Sequence, residues 1–139
     1  MSDDVERRSR AGPSGLALLM ESDVELSAVI RAGLLLDGHR VESMANCAEV
    51  LAWRARGGPV PGAFLLALGA GEADPDWDAL HAALDEDEAL AGIAVIVLLT
   101  IRNGLTFPAR ARVVQKPFEL ERLMEMVASD MRAAAGRPS

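Results

Sequence analysis

Five short apolar runs, separated by stretches in which apolar residues recur every three or four positions, constrain this chain more than any other feature. The runs are residues 16–20, a brief one around Val41, residues 63–68, residues 93–99 and the pair Val113-Val114. A continuous apolar run of this length suits a strand buried on both faces. The stretches between them suit amphipathic helices. Leu26, Val29, Ile30, Gly33 and Leu34 mark the first, and a segment through Trp53 the second. Trp77, Leu80, His81 and Leu84 mark the third; Leu120, Leu123, Met124, Val127 and Met131 trace the last. Strand and helix alternate about five times, which implies an α/β fold with a parallel sheet covered on both faces. In such folds ligands and chemistry gather outside the carboxyl ends of the strands.

Local signals punctuate this order. Ser22 and Glu25 stand at capping-box spacing, and so do Asn46 and Glu49. Gly38 and the pair Gly57-Gly58 suit helix ends. Asp74-Pro75 suits a cap followed by proline at the first helical position. Asn103-Gly104 and Pro108 break the segment 102–112, which is left open as helix or loop. The length of 139 residues allows one domain. It is expected over 15–132, with residues 1–14 a flexible tail and 133–139 a flexible end.

Composition then narrows the function classes. The net charge of −7 gives no electrostatic footprint for nucleic acid or for an anionic membrane. The longest apolar run, residues 93–99, is too short to span a bilayer, and no signal core follows the polar first residues. A cytoplasmic protein is expected. The single cysteine, Cys47, excludes an internal disulfide and a cysteine-based zinc site. His39 and His81 are far apart and have no evident catalytic partner. No phosphate-binding glycine loop or dinucleotide fingerprint is present. All but one of the 14 basic residues are arginine; the exception is Lys116.

Three segments carry a resemblance. Leu18-Leu19-Met20-Glu21-Ser22-Asp23, Pro61-Gly62-Ala63-Phe64-Leu65-Leu66-Ala67-Leu68 and Val113-Val114-Gln115-Lys116-Pro117-Phe118-Glu119-Leu120 resemble parts of the receiver domain of two-component response regulators. They match its first strand with the acidic cluster, its third strand, and its Lys-Pro-Phe junction. The resemblance covers residues 16–131. It implies a receiver-like, flavodoxin-like doubly wound sheet of five parallel strands in the order 2-1-3-4-5. The segment before Lys116 is short for the family, so the fourth helix is expected to be reduced.

The resemblance also implies a site. In the family an aspartate accepts a phosphoryl group, two acids hold magnesium, and a hydroxyl and a lysine contact the phosphoryl oxygens. Magnesium needs hard oxygen ligands, and the transferred group needs its charge neutralised. Here the acceptor position falls on Ala67, which has no oxygen to phosphorylate. The acidic positions fall on Glu21 and Ser22, with Asp23 one residue further on. The hydroxyl position falls on Leu99, beside Thr100. The aromatic switch position falls on Val113. Lys116, followed by Pro117, is the plain survivor, and an ion pair with Glu21 is its structural reading. These residues form a vestigial phosphorylation pocket, with no catalytic residue, metal or cofactor expected.

The function expected is a pseudo-receiver, a non-enzymatic signalling module working through protein contacts without aspartyl phosphorylation. Its partners would be a histidine kinase, another regulator or a second copy of the chain. The docking faces implied by the resemblance are the first helix, residues 25–37, and residues 113–131. Two other readings stay open: phosphorylation on a displaced acid, Asp74 or Glu72, or an anion sensor in which Lys116 and Arg102 grip a small ligand. The acidic run 85–88 is expected to be a solvated helix end, and Cys47 a small helical residue.

Overall fold

Five strands, β1 (Leu16–Met20), β2 (Arg40–Met44), β3 (Ala63–Leu68), β4 (Ala94–Leu99) and β5 (Arg112–Gln115), pair in parallel in the order β2-β1-β3-β4-β5. This is the expected order. The structure, a computed structural model, describes residues 15–68, 74–100 and 106–135. β1 and β3 are buried at every position, as continuous apolar runs in a doubly covered sheet must be.

Side-chain alternation splits the core in two. Ala17 and Leu19 of β1, with Ala63, Leu65 and Ala67 of β3, pack under helices α1 (Val24–Leu36) and α4 (Leu120–Ala135). Leu16, Leu18 and Met20, with Phe64, Leu66 and Leu68, pack on the other face under α2 (Cys47–Ala55) and α3 (Trp77–Glu86). Gly33 lets α1 and α4 approach closely, because a Cβ there would stand 3.0 Å from Met124 Sδ. Trp53 and Trp77 are buried core residues, packing on the face of Phe64 and Leu66.

Several local expectations change. The cap of α1 is Asp23, not Ser22. Pairing to β2 continues one residue past β1, through Glu21 N–H to Met44 O at 2.9 Å. The helix therefore starts one residue later, and the Asp23 carboxylate accepts from the N–H groups of Glu25 and Leu26. α4 runs through Ala135, so residues 133–135 are helical and not a frayed end. Val29 is half exposed, outside the core face assigned to it. The remaining tail positions lie outside the described residues.

Among the described residues no helix connects β4 to β5. Residues 106–111 are instead pinned to the flank of α3. Arg110 donates to three carbonyls, those of Ile93, Leu84 and Leu90, at 2.8, 3.2 and 2.8 Å. The Trp77 indole N–H donates to Thr106 O at 3.0 Å, and the Phe107 ring packs on Trp77.

Candidate functional site at the carboxyl edge of the sheet

Glu21 is the one charged side chain fully buried among the described residues. It follows directly on β1, whose last ladder partner in β3 is Leu66, so Glu21 stands level with Ala67. Burying a carboxylate is costly unless it is paired and hydrogen-bonded. Both oxygens of Glu21 are satisfied. Oε1 receives the Lys116 ammonium at 2.7 Å, and Oε2 accepts from the Asp23 N–H at 3.1 Å.

Lys116 follows β5, and its own N–H donates to Leu99 O at 2.9 Å, which continues the β4–β5 ladder. Its side chain must reach from β5 to the end of β1, and β3 and β4 lie between those strands. The pair therefore closes over the edge where Ala67 and Leu99 stand, both buried. Pro117 is exposed beside it. Leu99 is opposite Leu68 in the ladder, and Thr100 N–H donates to Leu68 O at 3.2 Å. Leu99 is thus the last residue of β4 and packs in the core under α3, while the half-buried Thr100 stands one step beyond the strand. Val113 is half-buried on β5.

The oxygen set at this edge is small. Ser22 is exposed, and Asp23 uses Oδ1 to cap α1. Among the described residues no three His, Cys, Asp or Glu side chains converge as a metal site requires. Chemically the edge offers a buried, neutralised ion pair and an alanine methyl, with no oxygen nucleophile at position 67.

Asp74 is committed elsewhere. Oδ2 accepts from the Cys47 N–H and Oδ1 from the Asp76 N–H, each at 2.9 Å. It closes the turn before α3 and also satisfies a donor at the first turn of α2. The helix itself begins later than Asp74-Pro75 suggests, with Asp76 at its cap position. Partial burial works against ionisation of Asp74, but the two N–H groups and the Cys47 thiol outweigh it and hold the carboxyl below its usual range. Burial, reinforced by the Asp74 carboxylate, pushes the Cys47 thiol far up. The thiol is therefore not a nucleophile at neutral pH. Glu72 and Arg102 lie outside the described residues.

Two features escaped the sequence reading. His81 has partners: Nε2 faces Asp85 at 3.2 Å, and Nδ1 lies 3.4 Å from the Thr106 hydroxyl. The acidic run is not wholly solvated either, since Asp87 pairs with Arg54 at 2.9 Å and caps the turn after α3. The i, i+4 spacing of His81 and Asp85 was a readable signal. The Arg54–Asp87 contact spans elements and had none.

Comparison with solved structures places this architecture among receiver domains. The receiver domain of a signal transduction histidine kinase from Syntrophus aciditrophicus superposes with a TM-score of 0.73 at 20% identity, covering 91% of this chain and 96% of that one. A CheY-like response regulator receiver domain protein from Methanospirillum hungatei JF-1 gives 0.70 at 17% identity, over 86% and 94%. A response regulator receiver protein from Sinorhizobium medicae WSM419 gives 0.67 at 16% identity, over 86% and 95%. No protein-family model and no curated protein matches the chain. At these identities the likeness establishes the fold: the chain has the CheY-like receiver architecture.

Proposed function

We propose that the chain is a pseudo-receiver, a signalling module that works through protein contacts and takes no phosphoryl group on an aspartate. One observation carries the reading. The Lys116 ammonium is closed on the buried Glu21 carboxylate at 2.7 Å, over the edge where Ala67 stands, the residue that the resemblance puts at the acceptor position. A phosphoaspartyl switch needs a carboxylate that attacks, a metal that neutralises charge and a cation free to meet the product. Here the first is a methyl group and the last is already neutralised. Function resides in the site and not in the fold, so loss of the site's chemistry leaves a scaffold that presents surfaces.

At Asp74 the displaced-acid reading fares worse on geometry, because that carboxylate spends both oxygens on backbone N–H groups. The anion-sensor reading must first break the Glu21–Lys116 pair. The proposal therefore assigns no enzymatic activity, metal or cofactor. Its partners are proteins of two-component signalling, a histidine kinase or another regulator, in the cytoplasm. No described helix is long and apolar enough to cross a membrane. The test is incubation with acetyl phosphate and magnesium, followed by intact mass measurement. The proposal expects no phosphoryl adduct; a stable adduct mapped to any carboxylate of the chain overturns it.

A further inference from the structure

β2 is an edge strand. Among the described residues it pairs with β1 alone, in an unbroken parallel register from Arg40 to Met44. Arg40 N–H donates to Gly15 O at 2.7 Å, and Met44 O accepts from Glu21 N–H at 2.9 Å. In a parallel ladder a residue turns its N–H and C=O to one side, and the next residue turns them to the other. Arg40, Glu42 and Met44 therefore face β1. Val41 and Ser43 point their backbone groups outward, where no described strand meets them. Such an edge is a template for another strand. Residues 40–44 hold no proline, lysine or bulge, three common devices that blunt one.

The side chains say which strand fits. Arg40 and Glu42 are exposed and share the sheet face of Met44. Val41 is half-buried on the opposite face, against the core under α1 and α4. Two copies related by a two-fold axis normal to the sheet bring β2 against β2 antiparallel. Centred on Arg40 or on Glu42, that pairing sets a charge against itself. Centred on Ser43, it leaves Arg40 without a partner. Centred on Val41, it sets Arg40 of each copy opposite Glu42 of the other, twice. The backbone accommodates this register. Val41 and its symmetry mate exchange two hydrogen bonds. Arg40 and Glu42 then fall on the adjoining non-hydrogen-bonded pairs, where cross-strand side chains stand closest.

We infer that β2 is the seam of a weak, reversible dimer, in which two five-stranded sheets join edge to edge through Arg40–Glu42 pairs. The partner is a second copy of this chain. A seam of five residues covers less than the roughly 800 Å² per partner of a standard interface. Association is therefore expected only at roughly 0.1–1 mM. This edge lies apart from the helix faces that the resemblance implies. The inference does not rest on the chemistry at position 67, and a phosphoryl adduct there or nearby would leave it standing.

The test is sedimentation equilibrium of the full chain from roughly 10 µM to 1 mM, with amide hydrogen exchange at both ends of that range. The dimer fraction should rise with concentration. Exchange at the Val41 and Ser43 N–H groups should slow about twofold or more, while those of Arg40 and Glu42 stay protected at both ends. Arg40→Glu sets glutamates against glutamates, and Glu42→Arg sets arginines against arginines. Each should weaken self-association about tenfold. Both sites are exposed, so the fold is kept. An equimolar mixture of the two single variants should dimerise again, because each then meets the opposite charge. The variant carrying both changes should do so too. A chain that stays monomeric throughout the range, a dimer that neither single variant weakens, or a mixture that fails to recover it overturns the inference. So does protection of the Val41 and Ser43 N–H groups at every dilution, which would mean that the edge is covered within the chain.

Discussion

Lys116 and Glu21 stand 95 residues apart in sequence and meet at 2.7 Å across the carboxyl edge of the sheet. Their side chains are 16% and 4% exposed, so each is the other's main substitute for water. Breaking such a pair from one side leaves a buried charge uncompensated and costs roughly 3–5 kcal/mol. Lys116→Met should therefore lower the unfolding free energy by about 3 kcal/mol, read from urea denaturation. Lys116→Met with Glu21→Leu should recover most of that loss. A double-variant loss equal to the sum of the losses in Lys116→Met and Glu21→Leu alone would mean that the pair contributes no coupling.

Arg110 holds residues 106–111 of the β4–β5 connection, by donating to three backbone carbonyls. Arg110→Ala leaves those acceptors short of partners, each worth about 1 kcal/mol or more. The variant should lose roughly 2–3 kcal/mol in all. Hydrogen exchange should quicken first in residues 106–111, with β1 and β3 protected as before.

Asp74 joins α2 to the turn before α3, and its carboxyl ionises more readily in the fold than in the open chain. A depressed carboxyl contributes stability that is fully present above the unfolded value, near pH 4. That contribution is lost as pH falls through the lower folded value. Asp74→Ala should cost about 1 kcal/mol at neutral pH, as loss of a helix cap does. Its stability should also fall less steeply than the parent's below pH 4, measured by thermal melts across the acid range.

Cys47 should resist alkylation by iodoacetamide while the chain is folded. Its thiol is buried and held protonated by burial and by the Asp74 carboxylate. Labelling should follow global unfolding in urea, and rapid labelling of the native chain would contradict the packing described for α2.

The sheet was legible because its strands are written as continuous apolar runs. Leu16–Met20 and Ala63–Leu68 could hardly be read otherwise. The Asn46 cap was legible too, since its oxygen accepts from Glu49 N–H three residues on. Local spacing failed where a distant bond decides. Whether Ser22 or Asp23 caps α1 depends on Glu21 N–H reaching Met44, a tertiary contact. Asp74 was read as a cap for its own helix, but a backbone N–H 27 residues away claims one of its oxygens. The three groups that Arg110 grips are backbone carbonyls, which leave no mark in the sequence. Val29 was placed on the apolar face by its helical spacing, but it stands at the flank of that face and is half exposed. At the site, Glu21, Ala67 and Lys116 were found through the resemblance, and the ladder registers bring the three to one edge.

The most direct test of the central claim is an amide NMR titration of the chain with magnesium and beryllofluoride, a mimic of a phosphoryl group on aspartate. On the proposal that Ala67 takes the acceptor position, and with Lys116 held by Glu21, the resonances of residues 21, 67, 99 and 116 should stay where they are. Saturable, magnesium-dependent shifts at those residues would contradict the account and make the chain a working phosphorylation switch.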